Sequence, residues 1–355
     1  MKKILAMLLA LTLCTLMLAS CGENEELGSY IENYPETPNN VEELTLNLYI
    51  ITEKETSAFA INTVKRMVTQ YTELNYKTKL VVNYLTADEY DTAVLNAADA
   101  QGDSAANIVL INSPNLMDKL MAKNKLADLT EYYDTKTYAS LNSIVPKALL
   151  DGSKIGGKLY TVPNNHLIGE YRYLVIDKAL CRDELHYSDT KLLSYKTKED
   201  AAELILEIES LGKNPDDYVY YQTGKYELKA QIEKEGTHGK ICNVSAYPTV
   251  DREEAFSSAF AIINGQQKYI DRSMQIIYAL NTQTELRNLL QYGVEGTNYV
   301  LDGGNVVRVD SGDNLYRMNL NYTGDVFLAK YCEAIGWTKD AKENASKQNN
   351  EAVMN

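Results

Sequence analysis

A glycine-lysine run, three histidines and a scatter of tyrosines are where residue type and spacing in this sequence bear on chemistry. Gly152-Ser153-Lys154-Ile155-Gly156-Gly157-Lys158-Leu159 nearly has the spacing of a phosphate-binding loop. Leu159 stands where such a loop needs a metal-binding Ser or Thr. A helix is expected before the run and a strand after it, the reverse of the strand-then-helix order that aims a helix N-terminus at phosphate. The run therefore reads as a turn into a strand. His166, His186 and His238 are the only histidines, and His238 and Cys242 flank an expected turn at Gly239. Zinc needs three or four converging ligands, so no metal is expected. No G-x-S-x-G, H-E-x-x-H or G-x-G-x-x-G motif occurs. A carboxylate pair for glycoside hydrolysis stays open, because such pairs converge only in space. Tyr171, Tyr173, Tyr218, Tyr220, Tyr221 and Tyr247 fall at the ends of expected strands or in the segments between the two strand–helix sets. A tyrosine ring stacks on a sugar face and its hydroxyl bonds sugar hydroxyls. Tyrosine is also a good strand former, so half-buried sheet positions are the competing reading.

The elements that must position these residues sit in a chain of 355 residues, enough for about two domains. The formal charge is −14, which argues against nucleic acid, whose phosphates require clustered Lys and Arg. Lys2 and Lys3 followed by the apolar run 4–19 read as a signal peptide over 1–20. Leu18-Ala19-Ser20-Cys21 resembles the bacterial lipobox, which implies cleavage before Cys21 and acylation of its sulfur, palmitate being the expected chain. Residues 21–43 form the anchor and a flexible acidic tether, with Pro35 and Pro38 and no apolar periodicity. Cys181, Cys242 and Cys332 then remain, an odd number without C-x-x-C, and are expected to be free thiols.

From Leu44 strands and helices alternate. Strands are expected over 44–51, 78–85, 107–111 and 158–162, with helices over 55–75, 88–101, from 113 and over 137–150. The alternation predicts a mainly parallel sheet covered on both faces. A second set follows, with strands at 171–176, 218–222 and 240–245 and helices at 198–211 and 226–235. Residues 256–263, 268–281 and 284–291 read as helical or mixed apolar runs, 306–309 as a strand, and the chain after Ala341 as polar.

Several segments together resemble the extracellular solute-binding lipoproteins of bacterial ABC importers, family 1, sugar-type branch. They are the lipobox; Asn107-Ile108-Val109-Leu110-Ile111-Asn112-Ser113; Leu126-Ala127-Asp128-Leu129-Thr130; and Gly157-Lys158-Leu159-Tyr160-Thr161-Val162-Pro163-Asn164. Phe256-Ser257-Ser258-Ala259-Phe260-Ala261-Ile262 and Tyr292-Gly293-Val294-Glu295-Gly296-Thr297-Asn298-Tyr299 extend the resemblance to about residues 44–340. Asn107 departs from the family pattern, which has Asp there.

The resemblance implies an α/β, two-lobed periplasmic-binding-protein-like fold (type II) with a hinge between lobes. Lobe 1 is expected at 44–165 plus 250–310. Lobe 2 is expected at 166–249 plus 311–355, short, and either reduced or truncated. It further implies a lipid-anchored monomer on the outer face of the cell membrane that binds a small solute, sugar favoured, and passes it to ABC permease subunits. No cofactor, metal or catalysis is implied. A surface glycan-processing enzyme and a binding lipoprotein without a transporter are the alternatives. In such a design the ligand touches loops at the carboxyl ends of strands and the hinge. That selects Thr52, Glu53, Asn112, Ser113, Asn164, Asn165, Tyr171 and Tyr247, with Glu295 as a further candidate that caps a turn in the competing reading.

Overall fold

Leu44–Ile51 encloses Leu46, Leu48 and Ile50 on one face and buries Asn47 and Ile51 on the other, which marks it as a central strand rather than an edge. In the computed structural model, which describes residues 42–235 and 240–355, it is β1. The strands of the two larger sheets follow in chain order: β2 (Thr78–Leu85), β3 (Ile108–Ile111), β4 (Thr161–Pro163), β5 (Tyr171–Ile176), β6 (Val219–Gly224), β7 (Lys240–Asn243) and β8 (Ala259–Ile262). The principal helices are α1 (Ala58–Tyr76), α2 (Ala87–Asp99), α3 (Pro114–Ala122), α4 (Lys198–Ser210), α5 (Tyr226–Glu235), α6 (Gln267–Thr282), α7 (Thr284–Tyr292) and α8 (Lys339–Glu351). The signal peptide, Cys21, the tether up to residue 41 and His238 lie outside the described residues, as does the Cys242 side chain.

The first sheet has the order β2-β1-β3-β8-β4. β1 is parallel to β2 and β3, but β8 is antiparallel to both β3 and β4, so the expected mainly parallel sheet is mixed. The reason is β8 itself. Residues 259–262, read as helical or mixed, form a four-residue strand buried on both faces, returning from the second lobe in the opposite sense. Four apolar residues carry no period that separates strand from helix. On α1, Ala60, Val64, Val68, Thr72 and Tyr76 are buried at a four-residue spacing, one stripe laid on the sheet. Each enclosed Leu, Ile or Val contributes roughly 1.5–3 kcal/mol of burial. Asn47, a polar residue in the middle of β1, is satisfied: its Nδ2 donates to the Asp103 and Ala105 carbonyls at 3.0 and 2.9 Å. Its backbone N–H donates to Asn107 Oδ1 at 2.8 Å, which gives the departure at Asn107 a structural role.

The second sheet has the order β6-β5-β7 and is antiparallel throughout. Leu174, Ile176 and Val219 pack against Ala201, Leu204 and Ile208 of α4. Tyr173 and Val175, on the opposite face, pack against Leu228 of α5. Cys181 and Cys332 are buried free thiols.

Local expectations fail where chain breakers or distant contacts intervene. The helix read over 137–150 is two short ones, Leu141–Ile144 and Lys147–Gly152, divided at Pro146. The glycine-lysine run, by contrast, is the expected turn into a strand: a hairpin, Lys154–Ile155 against Lys158–Leu159, turning on Gly156 and Gly157 at φ 58° and 81°. The polar C-terminal stretch is α8. Residues 311–331, assigned to the second lobe, instead bond to α7 of the first. Gln291 Nε2 donates to Met318 O at 2.9 Å, Arg287 Nη2 to Leu320 O at 2.8 Å, and Asn288 Nδ2 to Leu328 O at 2.9 Å.

Gly324 is where that segment meets α6. Its φ is +110°, and a Cβ there would lie 2.1 Å from the Leu280 carbonyl oxygen. Gly296, at φ +77°, has nothing within 4 Å of that position. In urea unfolding, Gly324→Ala should lose roughly 2–4 kcal/mol, from backbone strain plus the clash. Gly296→Ala should lose about 1–2 kcal/mol from the backbone alone. Equal losses would show that the Leu280 contact yields without cost.

Candidate functional site

Sheet register places four polar residues side by side at one end of the first sheet. Ala259 pairs with both Ile111 and Pro163, so the next position outward aligns Asn112, Ser258 and Asn164. Tyr49 pairs with Val109, so Thr52 continues the row beyond Asn112. β4 leaves the sheet at this end toward the second lobe, and β8 enters here on the way back. The row therefore faces the junction between the lobes. The amide oxygens of Asn112 and Asn164 are both buried without a hydrogen-bond partner. For Asn164 the orientation is set by chemistry: its Nδ2 donates to Ser258 Oγ at 3.0 Å and to the Asn321 carbonyl at 3.1 Å, and a carbonyl only accepts. Its Oδ1 is an acceptor without a donor.

Tyr90 sits beneath the row. β1 and β3 pair over only two residues, and the fully buried Tyr90 hydroxyl bridges the gap beyond them. It accepts the Leu110 N–H at 2.8 Å and lies 2.9 Å from the Tyr49 carbonyl. Burial pushes its ionisation well above the ordinary tyrosine range, so it stays a neutral bridge.

A rim from residues 313–322 closes over the end of β1. The Arg317 carbonyl accepts from Thr52 Oγ1 at 3.2 Å, Thr56 Oγ1 at 2.9 Å and the Glu53 N–H at 3.3 Å. The Asn321 carbonyl accepts from Asn164 and from Ser258 Oγ. Tyr322 is half-buried, and desolvation together with the Glu53 carboxylate raises its pKa. Thr52, Glu53 and Asn164 are thus brought to one rim. Thr52 and Asn164 are buried and support it, while Glu53 is exposed. Ser113 is the N-cap of α3, its Oγ accepting from the Leu116 N–H. The sequence reading missed Ser258, Arg317, Asn321 and Tyr322, which reach the site by long-range packing with no periodic signal.

The other candidates lie along the crossings. Asn165 belongs to the first; its carbonyl accepts the Val326 N–H at 2.8 Å. Tyr171 opens β5 with its hydroxyl bonded to Glu351 of α8 at 2.9 Å. Tyr247 is 56% exposed beside the second crossing. Glu295 is exposed and forms an isolated bridge with Tyr299, between Gly293 and Gly296 at positive φ. It belongs to the turn, whose Asn298 donates to the Asn314 carbonyl. Tyr221, also exposed, lies under the Arg172 guanidinium at 4.2 Å. Among the described residues no group of three or more His, Cys, Asp or Glu is placed to hold a metal.

The crossings bond to each other. Glu170 and Thr249 exchange both backbone hydrogen bonds at 3.0 Å. Glu254 accepts the Gly169 N–H at 2.7 Å and pairs with Lys225 at 3.3 Å, while Lys225 also donates to the Leu167 carbonyl. Asp325 is buried against the first crossing, its Oδ1 accepting the Phe327 N–H at 2.8 Å. Burial pushes its pKa up to about 7, against that bond, the Arg287 charge and the Asn165 side chain. His166 is fully enclosed; desolvation pulls its pKa down to about 4 and keeps it neutral.

No protein-family model matches the chain, and no curated protein matches it. Among solved structures, the N-glycan transport solute binding protein (NgtS) from Streptococcus pneumoniae superposes with a TM-score of 0.57 at 17% identity, over 87% of this chain and 83% of that one. Its complex with Man1GlcNAc gives 0.54 at 16%, over 88% and 84%. Its complex with Man5GlcNAc gives 0.53 at 17%, over 87% and 83%. The likeness shows the fold, the two-lobed architecture of solute-binding proteins.

Asp325 and His166 give opposite pH signatures. An acid raised from 3.8 to about 7 stabilises most below 3.8 and loses that contribution as pH rises through 7. A histidine lowered from 6.5 to about 4 contributes above 6.5 and loses it as pH falls through 4. Asp325→Asn isolates the first. Relative to the unsubstituted chain, the variant should gain on the order of 2–4 kcal/mol between pH 4 and pH 8. Chemical unfolding at several pH values checks this; a pH-independent difference would place the Asp325 titration outside that window.

Proposed function

We propose that the chain is a lipid-anchored extracellular substrate-binding protein that captures a neutral, hydroxyl-rich solute, an oligosaccharide, and delivers it to an ABC permease without covalent chemistry. The polar row Thr52–Asn112–Ser258–Asn164 carries the reading. The unpartnered amide oxygen of half-buried Asn112 calls for a hydrogen-bond donor, which a sugar hydroxyl supplies and a carboxylate or phosphate does not, while the enclosed Asn164 holds the rim in place. Tyr322 on the rim and the exposed Tyr247 beside the second crossing offer ring faces suited to sugar C–H surfaces. The fold shared with a protein whose solved complexes hold Man1GlcNAc and Man5GlcNAc supports the same class of ligand. Two lobes joined by paired crossings suit capture by closure, which buries a ligand and presents a joined surface to a transporter.

Thermal-shift measurements on the full chain with Man1GlcNAc, Man5GlcNAc, other neutral oligosaccharides and peptides test the ligand class. A binder at 100 times its Kd adds about 2.7 kcal/mol of stability, and recovery of the glycan intact accompanies it. Stabilisation by peptides alone overturns the sugar reading, and glycan turnover overturns the non-enzymatic one. The anchor has its own test. Cys21→Ala should abolish acylation and release the protein from the membrane fraction, because retention depends on the double chain. Mass spectrometry showing an unmodified N-terminus in the unsubstituted protein would remove the lipobox reading.

A further inference from the structure

The first crossing is bonded along 166–169 largely by side chains where a sheet would supply a neighbouring strand. Two consecutive residues of α8, Gln348 and Asn349, are buried at 2% and 8% exposure and turn their amides to it. Asn349 Nδ2 donates to the His166 carbonyl at 2.6 Å and to Asn165 Oδ1 at 3.3 Å, and its Oδ1 accepts the Ile168 N–H at 3.0 Å. Gln348 Nε2 donates to the Ile168 and Gly169 carbonyls at 2.8 and 2.6 Å. Gln348 Oε1 accepts the backbone N–H of Tyr226, the first residue of α5 in the second lobe, at 3.1 Å.

A carboxamide carries one acceptor and a two-proton donor, the polarity of a peptide group. Two in succession reproduce the edge of a strand. Every polar atom of both amides is used, and the partners span the crossing and the second lobe. Just beyond α8, the Val353 and Asn355 N–H groups donate to the Pro248 and Val250 carbonyls of the second crossing. The helix α8 thus holds the first crossing and α5, and the segment 353–355 that follows it holds the second crossing.

We propose that Gln348 and Asn349 form a splint that sets the resting angle between the lobes. They are positioning residues for solute capture that touch no solute, a role that rests on the solute-binding reading above. A stiff segment at 166–169 confines bending to its two ends. At the far end, Gly169 has φ +77° and a Cβ there would lie 2.9 Å from Pro248, so only glycine fits that end without strain. The population of the capture-competent geometry then depends on α8, and apparent affinity scales with that population.

The test needs no ligand, so its failure is distinguishable from failure of the sugar reading. Spin labels on ketone-bearing amino acids at Leu74 of α1 and Leu206 of α4, 80% and 65% exposed, report the interlobe distance in the full chain by pulsed electron resonance. The double variant Gln348→Ala/Asn349→Ala should shift or broaden the distance distribution well below its melting temperature. Asn350→Ala, an exposed neighbour on the same helix, should leave it unchanged. A merely structural role would lower the melting temperature without moving the distances, and that result overturns the proposal. Where the double variant does not fold, hydrogen exchange decides. In the unsubstituted chain the Ile168 amide should be as protected as those of β5, and the single variant Asn349→Ala should reduce that protection by about tenfold, the loss of one net hydrogen bond. Fast exchange at Ile168 in the unsubstituted chain overturns the splint.

Discussion

The reciprocal backbone pair between Glu170 and Thr249 is the constraint on which the rest of the architecture depends. The chain passes from the first sheet to the second at 164–170 and back at 244–258. Paired there, the two passages behave as one joint. The position of β8 between β3 and β4 follows, since β8 enters where β4 leaves. So does the row of Thr52, Asn112, Ser258 and Asn164, because adjacent strands ending at one level place their next residues side by side. A row assembled from four sequence-distant segments needs this registry to exist.

The joint is also where buried polarity concentrates. His166, Asn164, Asp325, Gln348 and Asn349 are all enclosed, and buried polar groups are costly unless bonded. Most of them are bonded to the backbone of a crossing, which otherwise would lack partners between two sheets. Asp325 carries a different constraint. Arg287, fully buried with Nε and Nη1 unpartnered, neutralises it only at a distance, and burial wins over that attraction. A pair of this kind is weak evidence for stability, since desolvation can exceed the Coulombic gain. Its place between α7, the first crossing and α8 fits specification of geometry better than strength.

Much of the first lobe was legible in the sequence because β1, β2 and α1 bury continuous faces, and burial imposes a period that residue types reveal. The hairpin at Gly156-Gly157 was legible as a turn for the same local reason: two positive φ values in succession select glycine. Glu53 and Asn112 were legible as residues just past the carboxyl ends of β1 and β3, and Asn164 as the residue just past β4, and the register brings these ends together. Their division into exposed and enclosed positions was not, because Asn164 is covered by Asn321, 157 positions away. β8 escaped because four apolar residues have no distinguishable period. α8 escaped for the opposite reason: its contact face is Ala345, Gln348 and Asn349, so a hydrophobic pattern has nothing to detect.

That last failure has a physical cause peculiar to joints. A core accepts any side chain of suitable volume and low polarity, so its positions announce themselves as apolar. A crossing strand with one free edge presents carbonyls and N–H groups, and the helix that covers it must present donors and acceptors in return. Glutamine and asparagine do this at the cost of looking like solvent-facing residues. The same exchange recurs at Lys225, whose ammonium serves the Leu167 carbonyl and the Glu254 carboxylate together. It recurs at Lys342, which donates to the Phe327 carbonyl. Polar side chains facing a joint therefore perform the covering that apolar ones perform in a core. The polarity of α8 is the complement of the exposed strand edge it covers.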